Sequence, residues 1–186
     1  MANGRIVETK HFLLQLTGVP GSGKTTLATA IGQSTGAVVL DKDIIKSRML
    51  EGDLEIRLAP LPESIAAPLH HAVHQDLARA ILDQGFSVVL DGAAFFSFIR
   101  ERGRAMAASA GANYLIIECV LPDLAILQKR IDAKNLMPSQ QSVATLDGYD
   151  RPGTAQLIEP HLVIDTRRPL DECLAEALAY IRQAYE

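Results

Sequence analysis

The chain has little cysteine, no tryptophan and no apolar run long enough to span a membrane. Its two cysteines, Cys119 and Cys173, lie in apolar contexts without the spacing of metal ligands. This favours buried thiols in a reducing cytoplasm over a disulfide. The N-terminal stretch MANGRIVETK lacks the apolar core of a signal peptide. We therefore expect a cytoplasmic protein without a membrane partner.

An excess of basic residues is also missing, because 18 Lys and Arg stand against 22 Asp and Glu, for a net charge of −4. This balance gives no general positive field for non-specific nucleic-acid binding, although a local basic groove stays open. No low-complexity tract interrupts the 186 residues, and 48% of them are hydrophobic. The composition predicts one soluble globular domain over residues 1–186.

The most informative motif is GVPGSGKT at residues 18–25, which follows the apolar run FLLQL. It fits the pattern G-x-x-x-x-G-K-[S/T], in which glycines let consecutive backbone N–H groups turn around a phosphate chain. Lys24 would reach the β- and γ-phosphates, and Thr25 would offer its hydroxyl to Mg²⁺. A plain glycine-rich turn is the alternative, but a strand before the motif and a helical run after it favour a nucleotide site. The predicted nucleotide-binding residues are Gly18, Pro20, Gly21, Ser22, Gly23, Lys24, Thr25 and Thr26.

Apolar strand-like runs alternate with helical patterns along the whole chain, which predicts an α/β fold with a parallel sheet. Five strands are expected at residues 12–17, 37–40, 86–92, 114–120 and 161–165. Helices are expected at residues 24–33, 44–50, 64–84, 97–110, 124–133 and 170–185, with a short one near 141–146. Ligands of such sheets bind at the carboxyl ends of the strands, which directs attention to the residues found there.

Two aspartates, Asp41 and Asp43, follow the second predicted strand. Phosphoryl transfer needs positioning, charge neutralisation and a carboxylate that accepts the hydroxyl proton. Asp43 is the candidate for that base, and Asp41 is a candidate for the water shell of the metal. The structural alternative is that one of them only caps the following helix, a position that aspartate favours.

The third predicted strand closes on Asp91, after four mostly apolar residues. A carboxylate at this place can orient water ligands of Mg²⁺ beside Thr25. Gly92 and Ala93 follow where many hydrolytic ATPases place a glutamate, and the chain has no N-K-x-D motif of the kind that GTPases carry. Both absences favour a kinase over a motor or a switch.

Two further clusters of polar residues lie on predicted helices. His70 and His74 have the i, i+4 spacing of metal ligands, but no third ligand is apparent, so a helix exposed near an acceptor pocket is the simpler interpretation of them and of His71. Arg100, Arg102 and Arg104 would hold an acceptor's phosphate or carboxylate, or would lie in solvent. The sequence therefore does not decide between a binding role and a structural role for these arginines and histidines.

The ordered pattern GVPGSGKT, DKD, SVVLDGAAF, LQKRIDAKN, PSQQSVATLDGYDRP and HLVIDT resembles the P-loop kinase group. That group includes small-molecule and polynucleotide 5′-hydroxyl kinases, chloramphenicol phosphotransferase-like proteins, gluconate and shikimate kinases, and zeta-toxin-like proteins. The resemblance implies a P-loop NTPase three-layer sandwich with a five-stranded parallel sheet. It also implies a mobile lid at about residues 132–152, which would close on ATP and exclude water.

The same resemblance implies roles for single residues. Asp43 would be the base for the acceptor hydroxyl, and Arg130 a lid arginine over the transferring phosphate. Arg151 is a second lid cation by this resemblance, although the lid has fewer arginines than is common in the group. The turn after the fifth strand would border the adenine, with Arg168 or Arg167 stacked on the base or exposed to solvent.

Together these observations predict a kinase that uses ATP and Mg²⁺ to phosphorylate a hydroxyl group of a small molecule. Lys24, Asp43 and Arg130 are its predicted catalytic residues, with Thr25, Asp41 and Asp91 around the metal. The alternatives are a nucleotide or polynucleotide 5′-hydroxyl kinase and a nucleotide-binding module without transfer. A nucleic-acid partner is not favoured, and nothing in the sequence identifies the acceptor.

Overall fold

The computed structural model describes residues 10–55, 57–92, 94–133, 137–143 and 159–186. Its strands are β1 (Phe12–Thr17), β2 (Val38–Asp41), β3 (Val88–Asp91), β4 (Asn113–Val120) and β5 (Leu162–Asp165). Its helices are α1 (Lys24–Thr35), α2 (Lys42–Glu51), α3 (Glu63–Leu82), α4 (Ser97–Ala110), α5 (Leu124–Asp132) and α6 (Leu170–Gln183), with a 3₁₀ helix at Pro138–Val143. None of the helices in these ranges is long and apolar enough to cross a membrane.

The five strands form one sheet in the order β2-β3-β1-β4-β5, and every neighbouring pair is parallel. The predicted α/β fold with a five-stranded parallel sheet is therefore confirmed. Strand β1 lies in the centre, and all six of its residues are buried. Since the strands are parallel, their carboxyl ends, and the loops that follow them, lie along one edge of the sheet.

Two apolar cores, one on each face of the sheet, make three layers. On one face α1 and α6 cover β1, β4 and β5, with Leu14, Ile31, Ile117 and Ile181 among the buried residues. On the other face α3 and α4 cover β1 and β3 through Leu13, Ala78, Leu82, Val88 and Met106. Both cysteines are free and buried, as the sequence predicted.

Several predicted boundaries differ from the observed ones, and three of these differences have a clear local reason. Helix α2 begins at Lys42 rather than at residue 44, because the Asp41 carboxylate accepts a hydrogen bond from the Asp43 N–H (2.8 Å) and caps the helix. Strand β3 begins at Val88 rather than at residue 86, because the Phe86 N–H still bonds to Ile81 in the turn after α3 (3.3 Å). The short helix expected near residues 141–146 is the 3₁₀ helix at 138–143, and residues 144–146 lie outside the described ranges.

Helix α1 packs unusually close to β2 at Gly32. A Cβ atom at this position would lie 2.5 Å from Val39 Cγ2 and 3.1 Å from the Ala37 carbonyl oxygen. Alanine is normally the better helix residue by about 0.5–1 kcal/mol, but here the clash outweighs that preference. The glycine therefore sets the distance between α1 and the edge strand.

We expect Gly32→Ala to lower the free energy of unfolding by about 1–3 kcal/mol, the usual cost of overpacking. The matched control is Ser34→Ala, an exposed position of the same helix, which is expected to leave stability unchanged or slightly raised. Urea unfolding of both variants measures the difference. A stabilised Gly32→Ala protein would contradict the close packing.

Candidate active site

The loop between β1 and α1 has the backbone shape that a phosphate site requires. Gly18 has φ 135°, and a Cβ atom there would lie 2.3 Å from the Cys119 carbonyl oxygen, so only glycine fits. Gly23, the residue before α1, has φ 86° and likewise favours glycine. The loop stands at the carboxyl end of the central strand and in front of the first turn of a helix, where backbone N–H groups attract anions.

The Lys24 side chain folds back over this loop. Its Nζ atom donates hydrogen bonds to the carbonyl oxygens of Gly18 (2.8 Å) and Val19 (2.9 Å). Burial lowers the pKa of Lys24, and the nearby Asp91 carboxylate acts in the opposite direction. An anionic phosphate chain in the loop would supply the negative charge that the buried ammonium group needs.

Several buried polar atoms around the loop have no hydrogen-bond partner within the described part of the chain. They are Thr17 Oγ1, Ser22 Oγ and Asp91 Oδ2. Buried polar atoms are nearly always paired, so such a cluster at one place indicates a site built for a ligand. Hydroxyl donors and a carboxylate acceptor beside a ring of backbone N–H groups are the groups that would hold a polyphosphate with Mg²⁺.

Strands β1, β2 and β3 end level with one another, which brings two carboxylates to the loop. Asp91 is in register with Leu16 of β1 and with Asp41 of β2. Burial raises the pKa of Asp91, and the nearby Thr25 hydroxyl and Lys24 charge act in the opposite direction. The contact of Thr25 with Asp91 places the two predicted metal residues together.

Asp41 is both partly buried and engaged as the cap of α2. Burial raises its pKa, and the charge of Asp91 raises it further. One of its oxygens accepts a hydrogen bond from the Asp43 N–H, so Asp41 caps α2, as the sequence allowed for one of the two aspartates. Asp41 is in register with Asp91 at the same edge of the sheet. Its role in the water shell of a metal stays a prediction.

Asp43 lies in the first turn of α2, and both of its carboxylate oxygens are engaged. Lys42 Nζ contacts Oδ1 at 2.8 Å, and Gln140 Nε2 donates to Oδ2 at 2.7 Å. Burial would raise the pKa of Asp43, but Lys42 and Gln140 outweigh it, so that the pKa lies below its ordinary value. The carboxylate is therefore ionised at neutral pH, and its side chain is not the helix cap.

Lys42 and Gln140 are site residues that the sequence analysis missed. Lys42 stands between the two aspartates of the DKD motif, and its aliphatic stem lies against Gly92, where a Cβ atom would be 2.8 Å from Lys42 Cδ. The glycine at position 92 therefore leaves room for the Lys42 side chain. Gln140 carried no local signal, because it lies 97 residues from Asp43 and meets it only through the fold.

The described part of the predicted lid is docked on α2. The 3₁₀ helix brings Ser139 and Gln140 to this helix, where Ser47 Oγ donates to Ser139 Oγ (3.0 Å) and Ser139 Oγ donates to the Asp43 carbonyl (3.2 Å). Residues 134–136 and 144–158 lie outside the described ranges, and with them the predicted cation Arg151. The lid as a whole stays a prediction.

Two arginines of α4, Arg100 and Arg104, bind to groups of the protein itself. Arg100 is buried and donates to the Ala94 (2.8 Å) and Phe95 (2.7 Å) carbonyl oxygens. Arg100 (3.2 Å) and Arg104 (2.6 Å) both pair with Glu159. They link the turn after β3 to the segment before β5. Their use for an acceptor anion stays a prediction. Arg102 is exposed.

The histidines of α3 are not an exposed cluster, contrary to expectation. His70 and His74 are buried, and their ring nitrogens bond to the Ala66 (3.0 Å) and Leu40 (2.9 Å) carbonyl oxygens. Burial lowers the pKa of His71 to about 4, so this ring is neutral at neutral pH. The His74 ring thus links α3 to the edge strand β2, while the His70 ring bonds within its own helix.

Arg130 and Arg168, the two cations predicted around the nucleotide, lie near the turn after β5. Arg130 donates to the Thr166 carbonyl oxygen (3.0 Å), and a Cβ atom on Gly23 would approach Thr166 to 3.5 Å. Arg130 is therefore close to the start of α1. Arg168 pairs with Glu176, and Arg167 with Asp165. Their predicted roles toward phosphate and adenine stay predictions.

A cleft of about 310 Å³ opens beside the loop. Its walls include Val19 from the loop, Phe95 from the turn after β3, and Leu121 and Pro122 from the turn after β4. This volume is at the lower end of the range of small-molecule sites. The edge of the sheet thus combines a glycine-rich loop, the buried Asp91 carboxylate, two partly buried carboxylates and an apolar cleft.

Comparison with known proteins gives a consistent set of relatives. A family model described as an AAA domain matches residues 13–151, which is more than half of the chain. Among curated proteins, an adenylyl-sulfate kinase of Bacillus velezensis is 27% identical over 183 residues, which cover 94% of this chain and 87% of that protein.

Three solved structures with a similar fold are named as kinases. A putative kinase from Chloroflexus aurantiacus has a TM-score of 0.69 at 21% identity, covering 95% of this chain and 98% of its own. The APS kinase of Mycobacterium tuberculosis, in complex with AMPPNP and APS, has a TM-score of 0.66 at 22% identity over 93% and 98%. A gluconokinase from Sinorhizobium meliloti has a TM-score of 0.61 at 22% identity over 95% of both chains.

The raised pKa of Asp91 gives a prediction with a definite sign. A carboxyl group whose pKa is higher in the folded than in the unfolded state contributes stability at low pH, which is lost as the pH rises through the folded value. The charged form of Asp91 is therefore the destabilising one. We expect Asp91→Asn to raise the free energy of unfolding of the ligand-free protein at pH 7 by about 1 kcal/mol and to flatten its dependence on pH.

Unfolding curves from pH 4 to pH 8 measure this effect, and Asp76→Asn, an exposed carboxylate of α3, is the matched control. The same Asp91→Asn protein is expected to lose the rise in melting temperature that Mg·ATP gives the wild type. A less stable Asp91→Asn protein would mean that the ionised carboxylate holds the loop together.

Proposed function

Because the chain belongs to the AAA-domain family and has the fold of P-loop kinases, we propose that it is an ATP-dependent kinase that phosphorylates a hydroxyl group of a small molecule. The observation that carries this proposal is the meeting of four groups at one edge of the sheet. They are the phosphate loop, the Thr25 and Asp91 pair, the buried Lys24 ammonium and the ionised Asp43 carboxylate. Phosphoryl transfer requires this combination of anion binding, charge neutralisation and one hydroxyl acceptor.

In the proposed reaction the acceptor hydroxyl oxygen forms a bond to the γ-phosphorus of ATP. The bond between that phosphorus and the bridging oxygen to the β-phosphorus breaks, ADP leaves, and the hydroxyl proton passes to Asp43. Each carboxylate oxygen has two lone pairs, so Asp43 can accept from a hydroxyl while Lys42 and Gln140 stay in place. Lys24 would neutralise charge on the β- and γ-phosphates, for which it leaves the loop carbonyls.

Thr25 and Asp91 are the residues that would hold Mg²⁺, with Asp41 at the border of its water shell. When bound, the ion would neutralise charge on the phosphates. The unpaired Asp91 Oδ2 and the neighbouring hydroxyls support this assignment. Arg130 would add positive charge from the side of α5, and Arg168 would border the adenine.

A nucleotide-like acceptor is the second candidate, because the curated relative is an adenylyl-sulfate kinase. The apolar cleft beside Phe95 is compatible with a planar base as well as with other small molecules. A panel of acceptors with ATP consumption as readout separates the two candidates.

The decisive variant for transfer is Asp43→Asn. It keeps the shape of the side chain but removes the carboxylate that would orient the acceptor hydroxyl and accept its proton, so we expect kcat to fall by about 100-fold or more with the affinity for Mg·ATP kept. Turnover and calorimetric ATP binding are measured on the same preparation. Asp76→Asn serves as the matched control, since it is the same substitution on the exposed face of α3.

The result distinguishes three possible activities of this protein. A kinase loses turnover alone in Asp43→Asn. A nucleotide-binding module without transfer has no turnover to lose, and its ATP affinity does not respond. A wild-type protein that fails to bind Mg·ATP would overturn the proposed function itself.

A further inference from the structure

A second, smaller cavity lies beside Lys42, next to the proposed place of the acceptor. Its volume is about 20 Å³, which is room for one water-sized group. It is lined by Gln15, Lys42, His71, Gln75, Leu90 and Gly92, among others. Because Lys42 also contacts the Asp43 carboxylate, the cavity adjoins the place where a hydroxyl would be phosphorylated.

The floor of this cavity is polar although it lies inside the apolar core. Gln15 is only 2% exposed and interrupts the otherwise apolar run of β1, the central strand. The Tyr114 hydroxyl donates to Gln15 Oε1, and Gly103 of α4 leaves space for the pair, since a Cβ atom there would be 3.0 Å from Gln15 Nε2. A buried glutamine in the central strand has a cost that an apolar residue would avoid.

Gln75 of α3 gives a second indication, independent of the cavity itself, that a ligand binds here. Its side chain is 5% exposed and lines the cavity, and its Oε1 atom is buried without a hydrogen-bond partner in the ranges that the structure describes. An amide oxygen accepts hydrogen bonds only. The missing partner is therefore a donor, which excludes an ionised carboxylate or phosphate oxygen at this point.

The charges around the cavity restrict the chemical class of the missing hydrogen-bond donor. The Lys42 ammonium disfavours a second cation beside it, so an amine is the wrong donor. The imidazole of His71 is neutral at neutral pH and adds no charge. Lys42 is paired with Asp43 (2.8 Å) and Lys46 with Glu63 (2.5 Å), so a carboxylate already balances the charge of each lysine. A neutral hydroxyl group fits all of these conditions.

We propose that this cavity is a hydroxyl-binding subsite and that the acceptor is an uncharged polyhydroxylated compound. One hydroxyl binds to Gln75 in the cavity, and another, a few bonds away, faces Asp43 and receives the phosphate. The inference rests on the proposed kinase function and deepens it by naming the class of acceptor.

The first experiment compares neutral polyols with anionic analogues. The probes are glycerol, D-glucitol, D-ribose, D-glucose and myo-inositol against D-glycerate, D-gluconate, D-glucuronate and adenylyl sulfate. D-Glucitol and D-gluconate form the sharpest pair, because they share a carbon chain and differ by one carboxylate. With ADP formation as readout, we expect at least one neutral polyol to be used with a kcat/KM at least about 10-fold above that of its anionic analogue.

The second experiment tests the subsite with Gln75→Leu, which keeps the size of the side chain and removes the amide. For the polyol that is used, we expect the acceptor KM to rise about 3- to 10-fold, the usual effect of one hydrogen bond, with the KM for ATP unchanged. The melting temperature should stay the same or rise, because an unpaired buried polar atom is lost. The matched control is Gln84→Leu, the same substitution at an exposed position in the turn that follows α3.

The outcomes are distinguishable. Preferential use of an anionic probe, or ATP binding without turnover of any neutral polyol, overturns the acceptor class and leaves nucleotide binding intact. An unchanged acceptor KM in Gln75→Leu means that the cavity holds only water and overturns the subsite. A lower melting temperature with an unchanged KM assigns Gln75 a purely structural role and does the same. Failure of the wild type to bind Mg·ATP refutes the proposed function beneath both.

Discussion

The parallel register of the three strands β2, β3 and β1 is the constraint on which the site depends. Asp41 and Asp91 are paired in register across two strands, and Asp91 is level with Leu16, two residues before the phosphate loop. A shift of one residue would turn each side chain to the other face of the sheet. The apolar cores on both faces fix this register, so residues far apart in the chain meet at one edge without a dedicated contact between their loops.

This arrangement has an electrostatic cost in the ligand-free protein. Burial raises the pKa of both Asp41 and Asp91 and lowers that of Lys24, which means that each charged form is less favourable here than in water. Polar atoms such as Ser22 Oγ add to this cost because they lack a partner among the described residues. Groups held in an unfavourable state in a cleft are typical of functional sites, where a ligand supplies the missing partners.

The sequence was sufficient for the fold and for the centre of the site, but not for contacts between distant segments. Strand β1 and helix α4 were predicted with their observed ends, and the resemblance to P-loop kinases is confirmed by the family match. These features depend on local patterns and on one contiguous motif. The engagement of Arg100 by Glu159 and of Asp43 by Gln140 depends on partners 59 and 97 residues away, which no local pattern encodes. For the same reason, histidines that looked exposed are buried.

Asp43 shows how such distant contacts change the meaning of a predicted catalytic residue. A base with a lowered pKa is weak, and Lys42 and Gln140 together make it weaker than an isolated aspartate. In a loose phosphoryl-transfer transition state, however, the attacking oxygen needs little help in losing its proton. Orientation of the hydroxyl then matters more than proton affinity, and a carboxylate fixed by two donors is a rigid acceptor. In the proposed reaction, the contacts that weaken Asp43 as a base therefore suit it to position the acceptor.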